Sequence, residues 1–218
     1  MMAHNAIHNP ARFAEQTGNT IPNLYAMVAS RICHDLVSPL GAIGNGIELM
    51  QLSSQVQGAE LSLVAESTEN ANARLRYYRI AFGTVSSGQS ISRAEVVSIL
   101  GALQAHQKHK VTWACDTELS RKQVKLVFLL LMCLESTIPW GGEIEISTTP
   151  TGVQLVAHSQ RMRIEDTLWT ALDNGGAIGE MTSAKVHFAV TGAEIAAQGC
   201  YVSLSEGSTS FHVDVAFR

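Results

Sequence analysis

One stretch of ten residues, Arg31-Ile32-Cys33-His34-Asp35-Leu36-Val37-Ser38-Pro39-Leu40, gathers a nucleophile, an acid and a base within about three turns of chain. Imidazole is nucleophilic and largely neutral near pH 7, so His34 can attack a phosphoryl group without an elaborate activating base. Asp35 follows it directly, and an adjacent carboxylate can hold the ring and favour the tautomer with a free nucleophilic nitrogen. Arg31 precedes Asp35 by one turn, at the spacing of an i, i+4 ion pair, and Ser38 follows His34 by one turn on the same face. Pro39 falls inside the helical pattern, where it cannot donate a hydrogen bond and leaves the Asp35 carbonyl without its partner. That costs about 3 kcal/mol relative to alanine and marks a bend.

The element that must carry these residues is a long helix. Leu24, Val28, Ile32, Leu36, Leu40, Ile43, Ile47 and Met50 recur three and four apart, the mark of an amphipathic helix. His34 stands two residues from both Ile32 and Leu36, about 200° around the helix from each, so it points to solvent while they face a core. Ser53, Ser54 and Gly58 interrupt the pattern. A second helix follows through Leu61, Val64, Ala65, Thr68, Ala71, Leu75, Tyr78 and Phe82, capped by Gly83. Two helices and a short loop make an antiparallel hairpin, which cannot enclose a core alone. A second copy completes it as a four-helix bundle about a two-fold axis. Gly41, Ala42, Gly44 and Gly46 would let another helix approach closely, or simply serve close packing.

Residues 1–20 read as a polar N-terminal tail, 21–83 as the helical hairpin, 84–90 (TVSSGQS) as a linker, and 91–218 as a second domain. In that domain Ser92 and Glu95 have capping-box spacing and open a helix expected to reach about Lys110. A short strand at 111–115 precedes a strongly apolar helix capped by Ser120 and running through Leu134. Strands at 143–148 and 153–158 form a hairpin, a short helix covers 166–172, and another helix runs from Thr182 or Ser183 to Gln198. Strands 201–205 and 211–217 end the chain. The order predicts an α+β fold, an antiparallel or mixed sheet with helices on one face.

His, acid, Leu, any residue, Ser, Pro, Leu within a hydrophobic helical hairpin resembles the H-box of sensor histidine kinases, whose histidine accepts phosphate. The second domain resembles a degenerate version of the ATPase domain of such kinases. The helix at 129–136 (LLLMCLES) lacks the magnesium-binding asparagine. The strand at 154–160 (QLVAHSQ) does not end in DxGxG, and 179–185 (GEMTSAK) lacks the glycine run of the phosphate lid. Asp173-Asn174-Gly175-Gly176 imitates the adenine motif but follows a helix, where Asn-Gly is an ordinary cap. Together the two halves resemble the ChpT-type histidine phosphotransferases of bacterial phosphorelays, over Leu24 to the C-terminus. The resemblance implies that His34 is the phosphoacceptor and that the protein is a homodimer working without ATP. It also implies transfer of phosphoryl groups between the receiver domains of a hybrid kinase and of response regulators. No cofactor is expected, since the receiver brings the magnesium. Asp35, Ser38 and Arg31 would support transfer.

Composition agrees with a soluble partner of this kind. The 218 residues are 46% hydrophobic and 16% charged, enough apolar content for a real core and against a mainly disordered chain. A formal charge of −4 gives no electrostatic footprint for nucleic acid or an anionic membrane. Residues 124–138 form the longest apolar stretch but are broken by Lys125, Glu135 and Ser136, so no membrane span is expected. The N-terminus has no signal-peptide core, which predicts a cytoplasmic location. Cys33, Cys115, Cys133 and Cys200 lie far apart and read as buried reduced thiols, with neither a disulfide framework nor a metal site. His106, His109, His158, His187 and His212 read as ordinary surface histidines. Arg161 and Arg163 flank Met162 near Glu165 and Asp166, either as contacts for an acidic receiver or as a solvated loop. A non-catalytic dimeric scaffold, a divergent kinase and a receiver phosphatase are the competing readings.

Overall fold

The computed structural model describes residues 5–7, 21–52, 58–86, 88–105, 107–176 and 181–217. Outside the described residues lie most of the expected N-terminal tail, the Ser53-Ser54 interruption, His106, and residues 177–180 beside the Asn-Gly motif and in the GEMTSAK segment. The hairpin forms as the periodicity requires. Helix α1 (Ile21–Leu52) contains Pro39, and α2 (Gly58–Ala81) returns beside it. Gly46 lies where a Cβ would meet the Val64 side chain, while Asp35 reaches Tyr78 far along α2, so the two helices run antiparallel. Gly46 therefore serves the close approach of α1 to α2 within one chain. Gly41 and Gly44 have nothing near a virtual Cβ.

The second domain starts with α3 (Arg93–Gln104), whose first turn is capped by the Ser92 hydroxyl accepting from the Glu95 amide at 3.1 Å. The helix stops six residues short of the expected Lys110. The chain from His109 is claimed instead by β2 (His109–Ala114), which pairs parallel with β3 (Gly142–Thr149) and buries Val111 and Trp113 on one face. Between these strands runs α4 (Arg121–Thr137), opened by a full capping box of Ser120 and Gln123. Its residues 126–131 are all essentially inaccessible to solvent, as expected for a helix apolar on most faces.

Strand β4 (Gly152–His158), the short helix α5 (Asp166–Thr170), a 3-10 turn (Ser183–Lys185), α6 (Val186–Gln198), β5 (Tyr201–Glu206) and β6 (Ser210–Ala216) complete the domain. Gly199 ends α6 in the left-handed conformation at φ 66°, which a residue with a Cβ adopts at a cost. Including β1 (Asn5–Ile7), the sheet order is β1-β5-β6-β4-β3-β2, mixed only at the parallel β2–β3 pair. The expected α+β architecture is present. Residues 5–7, read as part of a tail, pair antiparallel with β5. Three residues without alternating apolar pattern give no strand signal, because backbone pairing at a sheet edge asks nothing of the side chains.

The last two turns of α2 are part of the second domain's core. Ile80 and Ala81 are fully buried, and the Tyr77 ring stacks on Phe128 of α4 at 4.6 Å between centroids. The Tyr77 hydroxyl donates to the Phe128 carbonyl at 2.6 Å. This continuity fixes the hairpin against α4 and α6. On the hairpin itself, Leu40, Ile47, Leu61 and Leu75, all counted in the apolar stripes, remain exposed in a single chain. The α1–α2 contact uses a neighbouring sector of each helix and leaves these side chains uncovered.

Candidate functional site

His34 sits on the outer side of α1 with its side chain 85% exposed, whereas Asp35 is only 11% exposed. One hundred degrees of helix separates a side chain offered to solvent from one turned towards α2. The His34 Nδ1 lies 3.1 Å from Asp35 Oδ1. The other carboxylate oxygen, Oδ2, accepts from Arg31 Nε at 2.7 Å and from the Tyr78 hydroxyl on α2. Arg31 then extends to the second domain, its NH1 donating to the Ala184 carbonyl at 2.5 Å. Pro39 is buried one turn beyond, and Ser38 is exposed one turn after His34.

Charge follows this geometry. Burial would raise the Asp35 pKa, but the Tyr78 hydrogen bond and the Arg31 guanidinium outweigh it and hold the carboxyl below its ordinary value. Burial and the Asp35 carboxylate together push the Tyr78 phenol well up, so it stays a hydrogen-bond donor at neutral pH. An ionised carboxylate can only accept. A neutral His34 imidazole facing it therefore places its proton on Nδ1, which leaves Nε2 with the free lone pair.

A cavity of about 80 Å³ behind this cluster is lined by Arg31, Asp35, Arg74, Tyr77, Tyr78 and Glu135, among others. Burial pushes the Glu135 carboxyl up to about 7, against the opposing pull of Arg31 and Arg74. His187 is buried, its Nε2 3.0 Å from the Ser136 hydroxyl, and burial pulls its pKa down to about 3. It is a neutral core histidine rather than the surface histidine expected from the sequence, because it lies on the buried face of α6, within hydrogen-bond reach of Ser136 on α4.

Of the residues singled out in the sequence, His34, Asp35 and Arg31 come together and Ser38 stays on their rim. Arg161 and Arg163 are elsewhere. Arg161 lies over the exposed Trp140 ring at 3.6 Å, and Arg163 pairs with Glu165 at 3.5 Å. Glu165 also holds Lys185, and the three line a second cleft of about 140 Å³ with Ser136, Thr137, Trp169 and Phe188. Among the described residues no cluster of His, Cys, Asp and Glu has the arrangement of a metal site. No helix among them is long and apolar enough to cross a membrane. Three cysteines are buried free thiols, but Cys33 is exposed: it precedes His34 on the outer side of α1, where its helix has no neighbour to cover it. Tyr78 and Glu135 were not recognised as site residues. Tyr78 was counted as one more apolar position, and only its hydroxyl hinted at a polar partner. Glu135 showed as a charge inside an apolar helix.

Residues 93–210 match the family model of the histidine phosphotransferase C-terminal domain, and the chain belongs to that family. Among curated proteins it is similar to protein phosphotransferase ChpT of Brucella abortus (strain 2308), with 36% identity over 126 residues. That match covers 57% of this chain and 60% of the relative, so it spans less than two thirds of the relative's length. A bacterial phosphotransferase solved at 1.7 Å shares the fold: TM-score 0.75 at 24% identity, over 89% of this chain and 96% of that one. The family match lies wholly beyond α2 and does not reach His34.

Proposed function

We propose that this chain is the histidine phosphotransferase of a bacterial phosphorelay, with His34 as the phosphoacceptor. The observation that carries the reading is the exposed imidazole whose Nδ1 is held by Asp35, leaving Nε2 open to a partner. In the forward step, the Nε2 lone pair attacks the phosphorus of a receiver's phospho-aspartate. The bond from phosphorus to the acyl oxygen breaks, and the receiver's aspartate leaves as a carboxylate. The imidazole becomes an N-phosphoimidazolium whose Nδ1–H stays on Asp35. The reverse attack, by the carboxylate of a response regulator, returns His34 to its neutral form. Such transfer depends mainly on positioning and charge neutralisation. The receiver supplies the magnesium, and this chain needs no cofactor and no ATP. The lack of the magnesium-binding asparagine at 129–136, of DxGxG at 154–160 and of the glycine run at 179–185 supports that last point.

The working unit is a homodimer. Leu40, Ile47, Leu61 and Leu75 lie 43–58% exposed on the hairpin, and a second hairpin would cover them as a four-helix bundle. Receivers dock over His34 with Ser38 on the rim, and Arg161 beside Trp140 and Arg163 offer a separate contact on the second domain. The protein acts in the cytoplasm. The test is phosphotransfer from a phosphorylated receiver domain to the purified protein without ATP, with His34→Ala alongside. Acid-labile, base-stable label on the wild type and none on the variant is the expected result. Absence of label with every receiver of the genome, or equal label on both proteins, refutes it.

A further inference from the structure

Asp35 receives three donors on two oxygens, and their division is unequal. Arg31 and Tyr78 both donate to Oδ2, so Oδ1 is left for the His34 Nδ1. Arg31 belongs to the same helix as Asp35, one turn earlier, and moves with it. Tyr78 comes from the other helix. Its ring is buried, with Tyr77 edge-on at 6.1 Å between centroids and Phe82 tilted against it at 5.6 Å.

We infer that Tyr78 is a positioning residue for phosphoryl transfer: its hydroxyl fixes the plane of the Asp35 carboxylate, and through it the Nδ1–H tautomer and ring orientation of His34. The inference rests on the function proposed above. A carboxylate turns readily about its last bond and presents two equivalent oxygens, so an unanchored aspartate would hold the imidazole in several ways. Two donors converging on Oδ2 from different helices remove that freedom. Tyr78 reaches neither His34 nor an incoming phosphoryl group; it acts through Asp35. Donation from a phenol on α2 also makes the imidazole's orientation a property of the α1–α2 packing, which the core anchors through Tyr77 and Phe128.

The test uses the full chain with Tyr78→Phe, which keeps the ring and removes the donor. Single-turnover transfer from a phosphorylated receiver is expected to slow about tenfold at saturating receiver, with the half-saturating concentration unchanged. Nitrogen-15 NMR of the His34 ring, assigned with His34→Ala, is expected to show a smaller Nδ1–H fraction in the variant. Replacing Tyr78 with 4-aminophenylalanine restores an N–H donor on the same ring and is expected to recover most of the rate. That recovery separates a lost donor from lost packing, should Tyr78→Phe fold poorly. Wild-type rate and wild-type tautomer in Tyr78→Phe overturn the inference while the phosphotransfer reading stands. If the wild type itself takes no label, that reading fails, and the tautomer measurement, which needs no partner, still decides the role of Tyr78.

Discussion

Asp35→Asn is the sharpest perturbation of the site, because it replaces a single oxygen with an NH2 group and reverses a hydrogen-bonding rule. Arg31 Nε, the Tyr78 hydroxyl and the His34 Nδ1–H all approach the carboxylate as donors. An amide has one oxygen. If that oxygen faces Arg31 and Tyr78, the NH2 group faces His34 Nδ1, and the only compatible imidazole is the one protonated on Nε2. The nucleophilic nitrogen is then blocked. Losing one charge-assisted bond of this kind is worth about 2 kcal/mol, or roughly thirtyfold in tautomer population. Amide replacement of the orienting aspartate in serine-protease triads costs about 10⁴ in rate for the same reason. His34 is exposed and water competes for its ring, so the expected loss in transfer rate is about thirtyfold to several hundredfold. The assay is single-turnover transfer from a phosphorylated receiver, with circular dichroism to establish that the variant is folded. A folded Asp35→Asn protein that transfers at the wild-type rate would refute the tautomer argument.

The raised carboxyl of Glu135 makes stability depend on pH. Its folded pKa of about 7 lies above the ordinary 4.5, so the folded state binds the extra proton between those values. Stability therefore falls as pH rises from about 4.5 to 7 and then levels off. Glu135→Gln, which stays neutral, is expected to flatten that slope and gain about 1–2 kcal/mol at pH 8, read by thermal melts across pH. Leu40→Asp with Ile47→Asp is expected to convert the proposed homodimer to a monomer in light scattering while circular dichroism is unchanged. Arg161→Ala is expected to weaken receiver binding several-fold, and Arg163→Ala less, since Arg163 is already engaged by Glu165; calorimetry with a receiver domain compares them. Arg31→Lys is expected to slow transfer, because one ammonium cannot span both Asp35 and the Ala184 carbonyl as the guanidinium does, and the same single-turnover assay measures it.

Helix spacing, capping boxes and glycine stops made the hairpin and nearly every element of the second domain legible in the sequence. The misplaced end of α3 and the short β1 share a cause. Both are decided by strand pairing with distant chain, and neither the sequence around Gln104 nor three residues at 5–7 records which partner waits there. The site was legible to the extent that it is local. His34, Asp35 and Arg31 lie within one turn of each other, and an i, i+4 rule reaches that far. Tyr78 stands 43 residues away from Asp35, and its hydroxyl was hidden inside an apolar stripe whose period explained it sufficiently. Glu135 likewise depends on what faces α4 across a domain boundary.

That boundary is where the site is assembled. Three side chains of α1 would make a flexible constellation on a helix already weakened by Pro39. Two of them are instead tied to something outside α1, Asp35 to Tyr78 of α2 and Arg31 to the carbonyl of Ala184 just ahead of α6, and His34 is held through Asp35. Tyr77, the neighbour of Tyr78, is in turn clamped to α4 by its ring and its hydroxyl. The second domain thus acts on His34 without touching it, through one hydrogen bond to Arg31 and one packed helix end. A histidine proposed to meet receivers on its open side has to be held from behind, and these contacts all lie behind it. Cutting the hairpin out as an isolated fragment would leave the motif intact in sequence yet remove the Ala184 and α4 anchors, so the motif alone does not make the site.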